Sequence, residues 1–566
     1  MTESSATDAV SPPTPAAPDR PPRAAATIVV VRDSADGIEV LLSRRAERGD
    51  HASGAWVFPG GLVDEGDRTA HACCAGLDDA SASARLGLPS AGLDYFVAAV
   101  RECFEESGLL FATGSDGEAI TLEGERGARL GAWRGPLHRV ERTLGEMCAA
   151  FGLTLAVDRL AYLSHWLTPP SRMKRFDTRF FIAAAPLAQT AAFDGTEMVE
   201  QLWLRPADAL ARSADLKLLS PTQKTLELVA RFNTVAALLE WARAPRTVAL
   251  TMPHIGTGQG GLRPVLPDEP AWAELGRLDP MGHGTACYDI QPSVAVRLSP
   301  RVTRVTANNG SMMTGPGTNT YLVGGGEANE WAVIDPGPLD EQHVEAILAA
   351  APGPIRWIFA THTHNDHSPA VAPLKARTGA VVHGRLPAHC EWQDASFAPD
   401  VHLAGGERFE LPGGATLQAI HTPGHASNHI CYLLEEEKLL FTGDHVMQAS
   451  TVVINPPDGD MAAYIASLRS LSALDLDWLA PGHGFLMAQP RHAIEWIVSH
   501  RLAREAKVLA AVQALAQARS DALLAKVYAD VPQRLHAMAM RSLTAHLIKL
   551  RDESLVVEAE GVWSTA

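Results

Sequence analysis

The segment Thr361-His362-Thr363-His364-Asn365-Asp366-His367 constrains this chain more than any other stretch. It reads His-x-His-x-Asp-His behind the apolar lead-in Trp357, Ile358, Phe359 and Ala360. Packing alone does not account for imidazoles and a carboxylate crowded in this way. Neutral imidazole and carboxylate are the ligands taken by Zn²⁺, Fe and Mn²⁺. Three further elements follow: Thr422-Pro423-Gly424-His425, Thr442-Gly443-Asp444-His445 and Pro481-Gly482-His483-Gly484. Each follows an apolar or helical run and contains a glycine turn, which places its ligand-type side chain on a loop at a strand end, where catalytic groups usually sit. Satisfied surface histidines would explain any one of these residues but not the pattern. His383, His389, His421, His429 and His445 lack the spacing and are expected to support the site or lie on the surface.

In this order the four elements resemble the metallo-β-lactamase superfamily. The resemblance implies an αββα sandwich with a two-metal site. His362, His364 and His425 would hold the first metal; Asp366, His367 and His483 would hold the second; Asp444 would bridge them. Two Zn²⁺ ions are the implied cofactor, with Asp366 and Asp444 the residues on which catalysis would depend. Two divalent ions close together share a hydroxide, lower its pKa toward neutrality and polarise the bond it attacks. That bond is expected to be an ester, a thioester or a phosphodiester.

Upstream, residues 26–31 and 38–42 read as strands joined by a hairpin turn over 33–37. Then come Phe58-Pro59-Gly60-Gly61 and Arg101-Glu102-Cys103-Phe104-Glu105-Glu106-Ser107-Gly108. On a helix Glu102, Glu105 and Glu106 fall toward one face. Carboxylates grouped this way repel unless a cation neutralises them, and Mg²⁺ is held by a few carboxylates plus substrate phosphates. The two pieces resemble the Nudix box. Asp67 stands where that family usually has Glu, and an insertion over 68–93 splits the box, as in a branch that cleaves coenzyme A or its thioesters. Leu41, Leu42, Arg45, Gly54, Phe58, Pro59, Gly60, Gly61 and Asp64 match that branch's upstream motif; Gly49, Asp50 and Ala52 do not. The resemblance implies an α/β/α sandwich, Glu102 as catalytic base, and Glu105 and Glu106 as ligands of Mg²⁺ or Mn²⁺. Residues 175–182 and 200–204 look like further strands of this domain.

With 566 residues the chain exceeds what one core organises. The expected layout is a disordered tail over 1–22, a Nudix domain over 23–232, a helix and Gly/Pro-rich linker over 233–290, a metallo-β-lactamase domain over 291–492 and a winged helix over 493–566. This is a multidomain α/β and α+β protein. The formal net charge of -17 keeps polyanions at a distance unless a local basic patch exists. Seven scattered cysteines suit a reducing compartment, and the absence of a long apolar run or a signal pattern suits a cytoplasmic protein without a membrane span.

Residues 497–516 and 538–551 show helical periodicity; Ser520 is placed to cap a helix over 521–528, and 555–558 with 562–563 read as a wing. This end resembles the winged helix of the superfamily subgroup related to beta-lactamase-like protein 2, whose animal members are endoribonucleases on single-stranded RNA. Acidic residues Asp552, Glu553, Glu558 and Glu560 largely offset the basic ones here, and nucleic-acid binders usually show a clearer basic excess. The reading is therefore a small-molecule hydrolase, of acyl-CoA or nucleotide-type substrates, with the Nudix site cleaving a nucleoside diphosphate-linked compound such as coenzyme A. The alternatives are single-strand endoribonuclease activity, with the winged helix touching RNA, and a non-catalytic nucleotide- or RNA-sensing regulator. Structural zinc sites are closed and Cys-rich, which this one is not. Self-association is left open by the sequence.

Overall fold

A computed structural model describes residues 21–47, 53–213, 215–327, 329–448 and 450–566. The tail expected over 1–22 lies outside the described residues except for its last two, and Gly49, Asp50 and Ala52 lie outside them too. The chain divides into two compact units. One runs to Ile255 and takes in Met281–His283; the other comprises Gly256–Pro280 and Gly284–Ala566.

In the first unit the strand Arg23–Ser34 turns tightly into Gly37–Arg45, with Ser34 opposite Gly37. Arg23–Ser34 also pairs in parallel with Phe176–Ala184, and Gly37–Arg45 pairs with Met198–Leu204. The helix Gly92–Ser107 lies against this sheet and is buried along its whole length. Its apolar residues Phe96, Val100 and Phe104 pack with Ile28, Val30 and Phe181 from the strands. The stretch that splits the box is not a loose loop. It forms a 3-10 segment, Glu65–Cys73, and the helix Asp79–Leu86, and buries Ala70, Ala82 and Leu86 in the same core.

In the second unit, strands from 295–297 to 401–402 pair in chain order in one sheet, and strands from 408–411 to 487–488 pair in chain order in another. Side chains alternate between faces, so each strand serves two cores. Tyr321, Val323, Ile334 and Phe359 meet Leu417, Tyr432 and Phe441 between the sheets. Leu322, Val333 and Ile358 point the other way, onto the side covered by Glu341–Ala350 and Val371–Thr378. The second sheet's outer face, with Cys431, Leu440 and Leu479, is covered by Met461–Ser472 and Pro490–Leu515. The result is a sandwich of helices, sheet, sheet and helices.

The Gly/Pro-rich stretch read as linker is in part packed. Residues 263–265, the helix Trp272–Leu278 and Tyr288 form a small core with Phe485. Arg304 and Glu274 form a buried double hydrogen bond there, at 2.7 and 2.9 Å. At the C-terminus the helices Ser520–Val527 and His536–Asp552 pack with Pro490–Leu515, and the strands Val556–Ala559 and Val562–Thr565 form the wing. Ser520 is not the cap expected. Arg519 holds that position, and the Ser520 hydroxyl instead accepts from the Trp563 indole N–H at 3.2 Å. Among the described residues no helix is long and apolar enough to cross a membrane.

Candidate metal centre and Nudix site

Five strands of the sandwich deliver donor or supporting side chains from their C-terminal ends. Ile355–Phe359 leads into residues 361–367, Glu330–Ile334 into Asp335, Ala415–His421 into His425, Leu439–Gly443 into Asp444, and Trp478–Pro481 into His483. The seven side chains singled out in the sequence fall into two groups, His362–His364–His425 and Asp366–His367–Asp444–His483, each with its donor atoms within 4.8 Å of one another. Asp444 reaches both groups. Its Oδ1 lies 3.3 Å from His367 Nε2 and 3.2 Å from His483 Nε2, and its Oδ2 lies 3.8 Å from His425 Nε2.

The donors fit a metal on three counts. His364 Nδ1 sits 3.0 Å from His362 Nε2 and 3.1 Å from His425 Nε2, near the ligand spacing around a tetrahedral ion with ~2.0–2.1 Å bonds. His367 Nε2, His483 Nε2 and Asp444 Oδ1 are buried without a hydrogen-bond partner, although they point at one another. A Cβ on Gly482 would stand 2.7 Å from Asp444 Oδ1 and 2.8 Å from His367 Cε1, so only glycine leaves this space open.

The electrostatics agree. Burial, reinforced by His367 and the other imidazoles around it, holds His362 well below the ordinary histidine range, and the same causes push His364 down to about 3. His362 and His364 are thus held in the neutral, ligand form. In the second group burial opposes charge, but His483 and His367 hold Asp444 well below the carboxylate range, and Asp444 and Asp366 carry His483 up to about 9. A buried Asp444 beside the part-buried Asp366 calls for positive charge between them, and a divalent cation meets that demand.

The far nitrogens are fixed as well. His425 Nδ1 lies 2.9 Å from Val453 O, and His483 Nδ1 lies 3.1 Å from Gly317 O. A ring that donates from Nδ1 presents Nε2 as its acceptor. Asp335 takes this role for His367, at 2.9 Å from Nδ1, and also accepts from the Thr361 amide and hydroxyl, both at 2.7 Å. No metal-ligand motif in the sequence singled out Asp335; its backbone stands at φ 52°, uncommon for a non-glycine residue. Asn319 ties the His483 loop by donating to Pro481 O and Gly484 O, at 3.0 and 2.8 Å.

The remaining histidines divide. His429 is fully buried, stacks on His362 at 5.0 Å and bonds Thr422, and His445 is buried against Ser467. His383 stacks on Phe359, His421 bonds Ser427 O, and His389 is exposed.

In the first unit Arg101 organises the acidic helix. It contacts Asp67 at 2.7 Å, Glu102 at 2.9 Å and Glu105 at 3.2 Å, and donates to Leu62 O. The shorter Asp67 therefore accepts the arginine despite replacing the usual Glu. Glu106 accepts from the Gly60 amide at 3.0 Å, and a Cβ on Gly61 would lie 2.4 Å from the Glu102 carboxylate. Burial pushes Glu102 and Glu105 up to about 7, with Arg101 acting against it, and pushes Glu106 well above the usual range. These three glutamates are not among the donor groups gathered for a metal in the described residues.

The metallo-beta-lactamase superfamily model matches residues 313–483. A lactamase-like protein of Penicillium aethiopicum is 34% identical over 248 residues, covering 43% of this chain and 75% of that protein. The chain belongs to the metallo-beta-lactamase superfamily. An atrochrysone carboxyl ACP thioesterase of Aspergillus chevalieri is 30% identical over 277 residues, covering 47% of this chain and 86% of its own length. A beta-lactamase-like protein 2 homolog of Caenorhabditis elegans is 29% identical over 266 residues, covering 46% and 87%. The beta-lactamase associated winged helix domain matches residues 520–563 of this superfamily member. Ahead of the lactamase region, the NUDIX domain matches 21–75 and the NUDT19 Nudix domain 77–228. The order is Nudix, metallo-beta-lactamase, winged helix, and both catalytic families are metal-dependent hydrolases.

Proposed function

We propose that the histidine–aspartate site hydrolyses an acyl thioester carried on a phosphate-bearing arm such as that of coenzyme A. The Nudix site would cleave a nucleoside diphosphate-linked compound of the same class. The observation that carries the reading is Asp444, one carboxylate whose two oxygens face the two donor groups. In this reading His362, His364 and His425 would hold one Zn²⁺, Asp366, His367 and His483 would hold another, and Asp444 would serve both. Paired ions supply an activated water and polarise the carbonyl under attack. The relative named as an ACP thioesterase supports a thioester over other acyl bonds, and fusion to a Nudix domain supports a nucleotide-bearing carrier. The domains would span 23–232, 291–492 and 493–566.

The chain's own groups then divide the work. Asp335, Val453 O and Gly317 O hold the imidazoles in one tautomer and orientation. Asp366, at the more open edge of the site with its side chain 27% exposed, takes the proton from the attacking water and returns it to the thiolate as the C–S bond breaks. In the Nudix site Glu102 would remove a proton from water, and Glu105 and Glu106 would hold Mg²⁺ or Mn²⁺ with the substrate phosphates.

The test is product analysis on wild type, Asp444→Ala and Glu105→Gln, each offered acyl-coenzyme A and single-stranded RNA. Loss of thioester cleavage in Asp444→Ala alone is the expected result, with Nudix cleavage lost only in Glu105→Gln. Loss of RNA cleavage in Asp444→Ala, with thioesters untouched in wild type, would overturn the thioesterase reading.

A further inference from the structure

Trp392 lies between the strands Val381–Gly384 and Val401–His402, next to Gln393, which forms an isolated bridge with the donor residue His364. It is 64% exposed and sits at φ 68°, a left-handed conformation that bulky residues rarely adopt. The surroundings impose this. Thr363 Oγ1 donates to Gln393 Oε1 at 2.7 Å, Gln393 Nε2 donates to Asp458 Oδ2 at 2.9 Å, and the Asp394 amide donates to Thr363 O at 2.6 Å. Backbone strain maintained in this way clusters at ligand-binding positions.

A second observation comes from the C-terminal helix His536–Asp552. Arg541 holds its guanidinium 5.4 Å from the centroid of the Trp392 ring, within cation–π range. Among the described residues Arg541 has no ion-pair partner. An uncompensated positive charge therefore stands over an exposed indole beside His364. A contact made only to fasten helix to loop would bury the tryptophan, and this one leaves most of it in solvent.

We propose that Trp392 and Arg541 clamp the phosphate-bearing arm of the substrate at the mouth of the metal centre, so that the winged helix takes part in substrate choice. The proposal rests on the thioesterase reading for the identity of the arm. The guanidinium suits a phosphate through paired N–H donors, and the indole face suits a planar base or an apolar linker.

The experiment compares acyl-coenzyme A with the same acyl group on N-acetylcysteamine, which has no phosphate. All proteins carry Glu105→Gln to silence the Nudix site, with and without Arg541→Glu, Arg541→Lys or Trp392→Ala. The expected result is a roughly tenfold or greater fall in the kcat/KM ratio of acyl-coenzyme A to N-acetylcysteamine thioester for Arg541→Glu, carried mainly by KM. Arg541→Lys should retain part of the selectivity, and Trp392→Ala should lower it. An unchanged ratio, or an equal loss on both substrates, overturns the clamp. Free coenzyme A titrated calorimetrically into the same proteins needs no turnover. Weaker binding with Arg541→Glu supports the clamp even where no thioester is cleaved, and in that case only the thioesterase reading falls. Loss of binding to a single-stranded RNA oligomer, with coenzyme A binding intact, overturns the proposal in favour of RNA as the phosphate ligand.

Discussion

Asp335 shows how much of a site a short motif leaves unstated. It bonds the ring of the candidate donor His367 and the amide and hydroxyl of Thr361, the residue before the candidate donor His362, and so joins the two through one carboxylate. Groups that orient metal ligands typically contribute about 10–100-fold to metal affinity or activity. Asp335→Ala is therefore expected to lose metal on dialysis and to lower thioester turnover by about that factor, as measured by metal analysis and kinetics on one preparation. Retention of metal and rate would mean that His367 needs no such partner. In the Nudix site, Asp67 shows the complementary case. A departure from the family pattern proves compatible with the fold because Arg101 extends to meet it.

At the level of elements, the helix Trp272–Leu278 matters through the loop it braces. Glu274 accepts at 2.8 Å from the amide of Leu486, three residues beyond His483, as well as from Arg304. Both partners are buried, so removing one leaves a charge without its counterpart. Arg304→Met is expected to destabilise the second unit by about 3–5 kcal/mol. Arg304→Met combined with Glu274→Leu should recover part of that loss. Chemical denaturation of the single and double variants measures both, and a double variant no more stable than the single one would count against the buried-charge explanation. The apolar lead-in Trp357, Ile358, Phe359 and Ala360 was readable from sequence as the strand end that carries the donors, and Ile355–Phe359 is that strand. The packed role of 263–288 was not, because its Gly and Pro content hides the few apolar side chains that dock it.

For the molecule as a whole, a metal held by the seven candidate donors would couple to stability. A ligand that binds only the folded state stabilises it by RT ln(1 + [L]/Kd), about 2.7 kcal/mol at a hundredfold excess over Kd. Chelation should therefore lower the melting temperature of the second unit and abolish thioester cleavage, with readdition of Zn²⁺ restoring both. Calorimetry with and without chelator reads this directly; an unchanged melting curve would mean that the donors hold no metal tightly. The order of three domains and the seven converging donors could be drawn from sequence because each motif is a local run of residue types with its own chemistry. The Asp335 orientation, the Glu274–Arg304 brace and the placing of Arg541 over Trp392 could not. Each joins residues 26 to 149 positions apart, and only the folded backbone sets which of many such pairs meet.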